Sequence, residues 1–139
     1  MKAKSVAGIP LIIEASLNGS ANKDLNPNVP YSDDEIVNDA MACMEAGAAL
    51  IHNHTSEPIF GGTGKLDAEA YARPWRTLLT KRPDAILTPT MPVGQEGVPV
   101  EVRYSHIITM AEEGLLGQGL CDPGTFNLSI AGADGLFLG

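Results

Sequence analysis

Short apolar runs alternate along this chain with longer stretches in which apolar positions recur every three or four residues, the pattern of a parallel sheet with crossover helices. The first run, Ile9 to Ser16, predicts a strand that ends at the Asn18-Gly19 turn signal. From Ser20 to Tyr31 the chain turns to Asn, Lys, Asp and Pro. Pro27 and Pro30 exclude a helix there, so a long loop follows the carboxyl end of strand one. Ser32 predicts a helix start: its hydroxyl can cap, Glu35 completes a capping box, and Asp33 and Asp34 suit the positive end of the helix dipole. Ile36, Ala40, Cys43, Met44 and Ala48 form the apolar stripe, and Gly47 marks the end.

Strand two follows at Ala48 to His54, then a Gly-rich loop, Thr55 to Lys65. The second helix, Leu66 to Leu79, contains Pro74, which predicts a kink or a division into two short pieces. Ala85 to Thr88 predicts a third strand, Pro89 to Pro99 a loop, and Val102 to Gly114 a third helix with Ile107, Ile108, Met110 and Ala111 available for burial. A fourth strand is expected at Leu116 to Cys121, closed by Asp122-Pro123-Gly124-Thr125. Each loop with functional character follows a strand, and parallel α/β folds bind ligands at the carboxyl ends of strands. Four βα units are half of an eight-stranded barrel, which takes about 250 residues. The pattern therefore allows an open four-stranded sheet or an incomplete barrel. The tail runs out at Leu136, Phe137 and Leu138 without a polar close, which reads as a truncated domain, because apolar surface needs a partner.

Composition narrows the partners. With 139 residues and 44% hydrophobic content, the chain is one domain with a core. A net charge of -8 repels phosphate backbones and anionic lipid, so neither nucleic acid nor a membrane is expected as partner. No apolar run approaches the roughly 20 residues of a membrane span. The amino-terminal apolar stretch is broken by Pro10 and ends in Glu14, unlike a secretory signal, so the expected location is cytoplasmic. Cys43 and Cys121 fall in helix and strand contexts and are expected to be reduced and buried.

The sharpest chemical feature is His52-Asn53-His54 at the end of strand two. Alternation along a strand turns positions 52 and 54 to one side, close enough to hold one metal ion, and Asn53 to the other. The bland alternative is two rings merely hydrogen-bonded near a loop. A catalytic zinc usually takes three protein ligands, and Glu14, Glu57 and Asp122 are the candidates for a third. Glu14, beside strand two and expected to be buried, suits a hydrogen-bonded role behind the metal better than ligation. Glu57 reads as a solvated loop residue, and Asp122 can equally cap its turn. His106 stands alone on its helix and reads as surface or packing. Thr88, Thr90 and Thr125 are hydroxyls at strand ends that can bind a carboxylate or oxyanion, or stabilise turns. Gly61-Gly62-Thr63-Gly64-Lys65 lacks the spacing of a phosphate loop, and Leu66 stands where its hydroxyl belongs.

EASLNG at 14–19, NPNVPYSDDEIVNDAMACMEAGAALIHNH at 26–54 and DPGTFNL at 122–128 together resemble the β-keto acid cleavage enzymes. That resemblance implies a (β/α)8 TIM barrel of which residues 1–139 are the amino-terminal half, one zinc ion, and a retro-Claisen-type exchange of a β-keto acid and acetyl-CoA for acetoacetate and a new acyl-CoA. His52 and His54 match the zinc histidines, while Glu14, Asn18, Thr90 and Thr125 are the expected substrate contacts. Pro89 replaces a serine of the family's pair after strand three. The family's third ligand, a glutamate, and its catalytic aspartate and arginine lie in the later half of the barrel, so no catalytic residue is assigned and the isolated chain is expected to turn over little. A homo-oligomer is expected of the complete barrel. Two other functions fit the residues: an amidohydrolase-type hydrolase, which also carries His-x-His on a barrel strand, and a nonenzymatic metal-binding half-barrel that assembles through its sheet edges.

Overall fold

A computed structural model describes residues 8, 10–57, 63–92, 97–120, 130–131 and 137–138. Strands β1 (Glu14–Ser16), β2 (Leu50–Asn53) and β3 (Ile86–Pro89) form a parallel sheet in that order. Helix α1 (Asp33–Glu45) joins the first two, α2 (Ala68–Lys81) the second and third, and α3 (Val100–Glu112) follows β3. Register pairs Ser16 with His52 and His52 with Thr88, and pairs Ala15 with Ile51 and Ile51 with Leu87. Strand alternation therefore gives the sheet two distinct faces. Ile51 and Leu87 join Ala40 and Met44 of α1, Tyr71, Trp75 and Leu78 of α2, and Met110 of α3 in one core, so all three helices cover the same face. The other face carries Glu14, Ser16, His52 and Thr88. Two further short strands, β4 (Ile130–Ala131) and β5 (Phe137–Leu138), pair antiparallel.

Local chemistry explains the boundaries. Ser32 caps α1, accepting the Glu35 N–H on its hydroxyl while the Glu35 carboxylate accepts the Ser32 N–H at 3.0 Å. Gly47 adopts φ +109, a conformation that only glycine enters freely, where the chain turns from α1 into β2. The stripe of α1 is Ile36, Val37, Ala40 and Met44; Cys43 is a free thiol at its edge, half-buried rather than buried. Cys121 lies outside the described residues.

Four further expectations, about the elements, change. Strand β1 is three residues long, because the preceding Leu11, Ile12 and Ile13 are exposed and only the Ile13 carbonyl reaches the neighbouring segment, accepting from Ala49 and Leu50 N–H. Helix α2 runs through Pro74 as one piece, capped by Asp67. Burial of Tyr71, Trp75 and Leu78 on both sides of the proline offsets its missing N–H. Ile108 is 51% exposed and Ala111 is exposed, since the helical period gives the buried face to Ile107 and Met110. Leu116 to Leu120 forms no strand. The N–H groups of Gly117 and Gln118 both converge on the Leu87 carbonyl, so this segment meets the edge of β3 at one point instead of along a ladder. Among the described residues no helix is long and apolar enough to cross a membrane.

Candidate active site

The carboxyl ends of β1, β2 and β3 converge where the two histidines stand. His52 lies within β2 on the helix-free face and His54 follows one residue past its end. Their ring centroids are 5.1 Å apart with planes at 86°. Rings whose nitrogens each lie about 2.0–2.1 Å from one ion at a tetrahedral angle have centroids about 5.2 Å apart. The separation of the two rings is the one that sharing a single ion would require. Burial lowers the pKa of His52, partly opposed by the Glu14 carboxylate, and burial together with the neighbouring His52 takes His54 down to about 4. Both rings are neutral at pH 7, the state in which imidazole offers a lone pair to a metal. Among the described residues no third His, Cys, Asp or Glu joins them.

Asn53 turns to the opposite face, as alternation requires, and is buried there. Its Oδ1 accepts the Trp75 indole N–H at 2.8 Å, and its Nδ2 donates to the His54 carbonyl at 3.2 Å. Asn18, just past β1, accepts the His54 N–H on Oδ1 at 2.7 Å, and its Nδ2 donates to the His54 and Pro30 carbonyls, both at 2.9 Å.

A family model of the beta-keto acid cleavage enzymes matches residues 10–136. This chain belongs to that family. It is similar to a 3-keto-5-aminohexanoate cleavage enzyme of Acetoanaerobium sticklandii, 35% identical over 115 residues that cover 82% of this chain and 41% of that relative. It is also similar to one of Fusobacterium nucleatum, 37% identical over 81 residues, 58% of this chain and 29% of the relative. The chain thus spans less than half the length of these curated relatives.

In this family member the other anticipated groups have distinct surroundings. Glu14 is exposed, correcting its expected burial: among the described residues β1 is an edge strand and no helix covers its face, so water solvates the carboxylate. Asn18 is buried, and both its amide hydrogens are spent on main-chain carbonyls, leaving no donor for a substrate. Thr90, just past β3, is buried; its N–H donates to the Tyr71 hydroxyl and its carbonyl pairs with His106 Nε2 at 2.8 Å. Thr125 and Asp122 lie outside the described residues. Glu57 is tied down rather than free, because its carboxylate accepts the Asp67 N–H at 2.8 Å and the Thr55 hydroxyl at 3.3 Å, linking the loop after β2 to the start of α2. His106 is a packing residue, buried and stacked on Tyr71 with centroids 5.9 Å apart. Thr88, in register with His52, is buried, and its hydroxyl has no partner among the described residues. Sequence reasoning missed the Asn18–His54 and Asn53–Trp75 contacts. The one signal for the first was an Asn in a turn directly after the strand that neighbours the histidines.

Proposed function

We propose that this chain carries the zinc-binding histidine pair of a β-keto acid cleavage enzyme and forms the first βα units, residues 1–139, of a (β/α)8 barrel. Two observations support the architecture. The strands follow one another in sequence order and their helices cover one face, as in a barrel; a doubly wound sheet reverses its order and is covered on both faces. The histidines stand on the face that closure would turn inward.

The reaction is the exchange of a β-keto acid and acetyl-CoA for acetoacetate and a new acyl-CoA. His52 and His54 hold their lone pairs unprotonated at the mouth of the sheet. A zinc ion there would be held by His52 and His54 and would supply Lewis acidity to the β-keto acid. The hydroxyls of Thr90 and Thr125 contact the substrate carboxylate, and Glu14 places a carboxylate on the same sheet face as His52. The third ligand, a catalytic aspartate and an arginine are assigned to barrel units beyond residues 1–139. The cytoplasm is the expected location, and the complete barrel a homo-oligomer.

The two rings 5.1 Å apart at the end of the central strand carry this proposal. Equilibrium titration with zinc tests it: the chain is expected to bind about one ion with histidine ligation, and His52→Ala with His54→Ala to abolish that binding. Unchanged stoichiometry in the double variant would overturn the metal assignment.

A further inference from the structure

We propose that Asn18 is the positioning residue of the histidine pair: its side-chain amide takes the place of the next rung between the first two strand segments and so sets where the His54 ring stands. The inference rests on the pair being metal ligands, and it assigns Asn18 an action through His54 instead of contact with substrate. The Leu17 N–H donates to the His52 carbonyl at 3.0 Å, the last main-chain bond between these two segments among the described residues. A parallel ladder would next offer the His54 N–H a main-chain carbonyl. The chain instead turns away at Asn18 and Gly19, the latter at φ +54. A primary amide has the donor and acceptor of a peptide, and Asn18 presents both: Oδ1 to the His54 N–H at 2.7 Å and Nδ2 to the His54 carbonyl at 2.9 Å. Its second amide hydrogen anchors it to the Pro30 carbonyl at 2.9 Å. From the helix-covered side Asn53, itself held by Trp75, bonds the same His54 carbonyl. A residue one step past a strand end otherwise has the freedom of a loop. Clamping its peptide fixes the direction in which the side chain leaves, and with it the separation and angle of the two rings.

The test uses zinc alone and cobalt alone as probes on the full chain. Asn18→Ala removes every contact, whereas Asn18→Asp keeps an acceptor for the His54 N–H but sets carboxylate oxygen against two carbonyls. Both are expected to weaken zinc binding about 10–100-fold, as loss of an orienting partner does, and to alter the visible absorption of bound cobalt. Leu78→Ala, a core change near the opposite end of α2, is expected to lower stability while leaving affinity and spectrum unchanged. In the metal-free chain, the nuclear Overhauser contact between the two rings should be lost in the Asn18 variants. Should Asn18→Ala fail to fold, Asn18→Asp carries both measurements. Wild-type affinity, cobalt spectrum and ring contact in the Asn18 variants, with binding abolished in His54→Ala, would overturn the positioning role and leave the metal pair standing. Wild-type binding unaffected by His54→Ala would overturn both.

Discussion

Between the two histidines stands Asn53, whose side chain leaves the open face for the core and accepts the Trp75 indole N–H at 2.8 Å. Neither group has access to water: Trp75 is 0% exposed and Asn53 2%. Replacing Trp75 with Phe keeps much of the apolar volume but removes the only donor that Asn53 Oδ1 has among the described residues. The expected cost is about 1–3 kcal/mol, read as a lower urea midpoint with unchanged slope. Asn53→Ala strands the same buried indole N–H and also removes the 3.2 Å bond to the His54 carbonyl, so it is expected to cost at least as much. Period-two alternation told which way Asn53 points. The identity of its partner, 22 positions away on α2, depended on packing.

At the scale of elements, α1 is the part most governed by its own residues. Ser32→Ala removes the acceptor for the Glu35 N–H and is expected to cost about 1 kcal/mol in thermal or denaturant unfolding. Lys23, 2.6 Å from Glu35, and the Tyr31 and Ser32 N–H groups hold the Glu35 carboxyl at about 2, below its ordinary 4.5. A carboxyl whose folded value is depressed contributes stability that is complete above its unfolded value and is lost as pH falls toward the folded one. Acidification from about pH 4.5 to 2 should therefore weaken the start of α1, and Glu35→Gln should flatten the stability profile in that window; a profile unchanged by the substitution contradicts the assignment. The second helix was less legible, since Pro74 argues locally for a break that burial of its neighbours overrides.

For the whole molecule, the decisive contact is the return of the chain to the free edge of β3 after α3. A Cβ on Gly117 would lie 2.7 Å from Leu87 N and 2.9 Å from Ile86 Cα, main-chain atoms that cannot move aside, whereas one on Gly119 would meet nothing closer than 3.7 Å. Gly117→Ala is expected to destabilise by about 1–3 kcal/mol and Gly119→Ala to be nearly neutral, a contrast that thermal unfolding measures directly. The sequence by itself determined the alternation of strands and helices, the capped start of α1, the glycine that ends it, and the common side of His52 and His54. Each of these follows from residues within a turn or two of one another, where periodicity and backbone geometry decide. The tertiary structure alone decided that Glu14 is solvated, that Asn18 bonds the peptide of a residue 36 positions on, that His106 pairs with Thr90, and that Leu116 to Leu120 touches β3 without joining it. Polar partners so distant are selected only when segments pack and their donors and acceptors compete for one another, a contest the order of residues does not record.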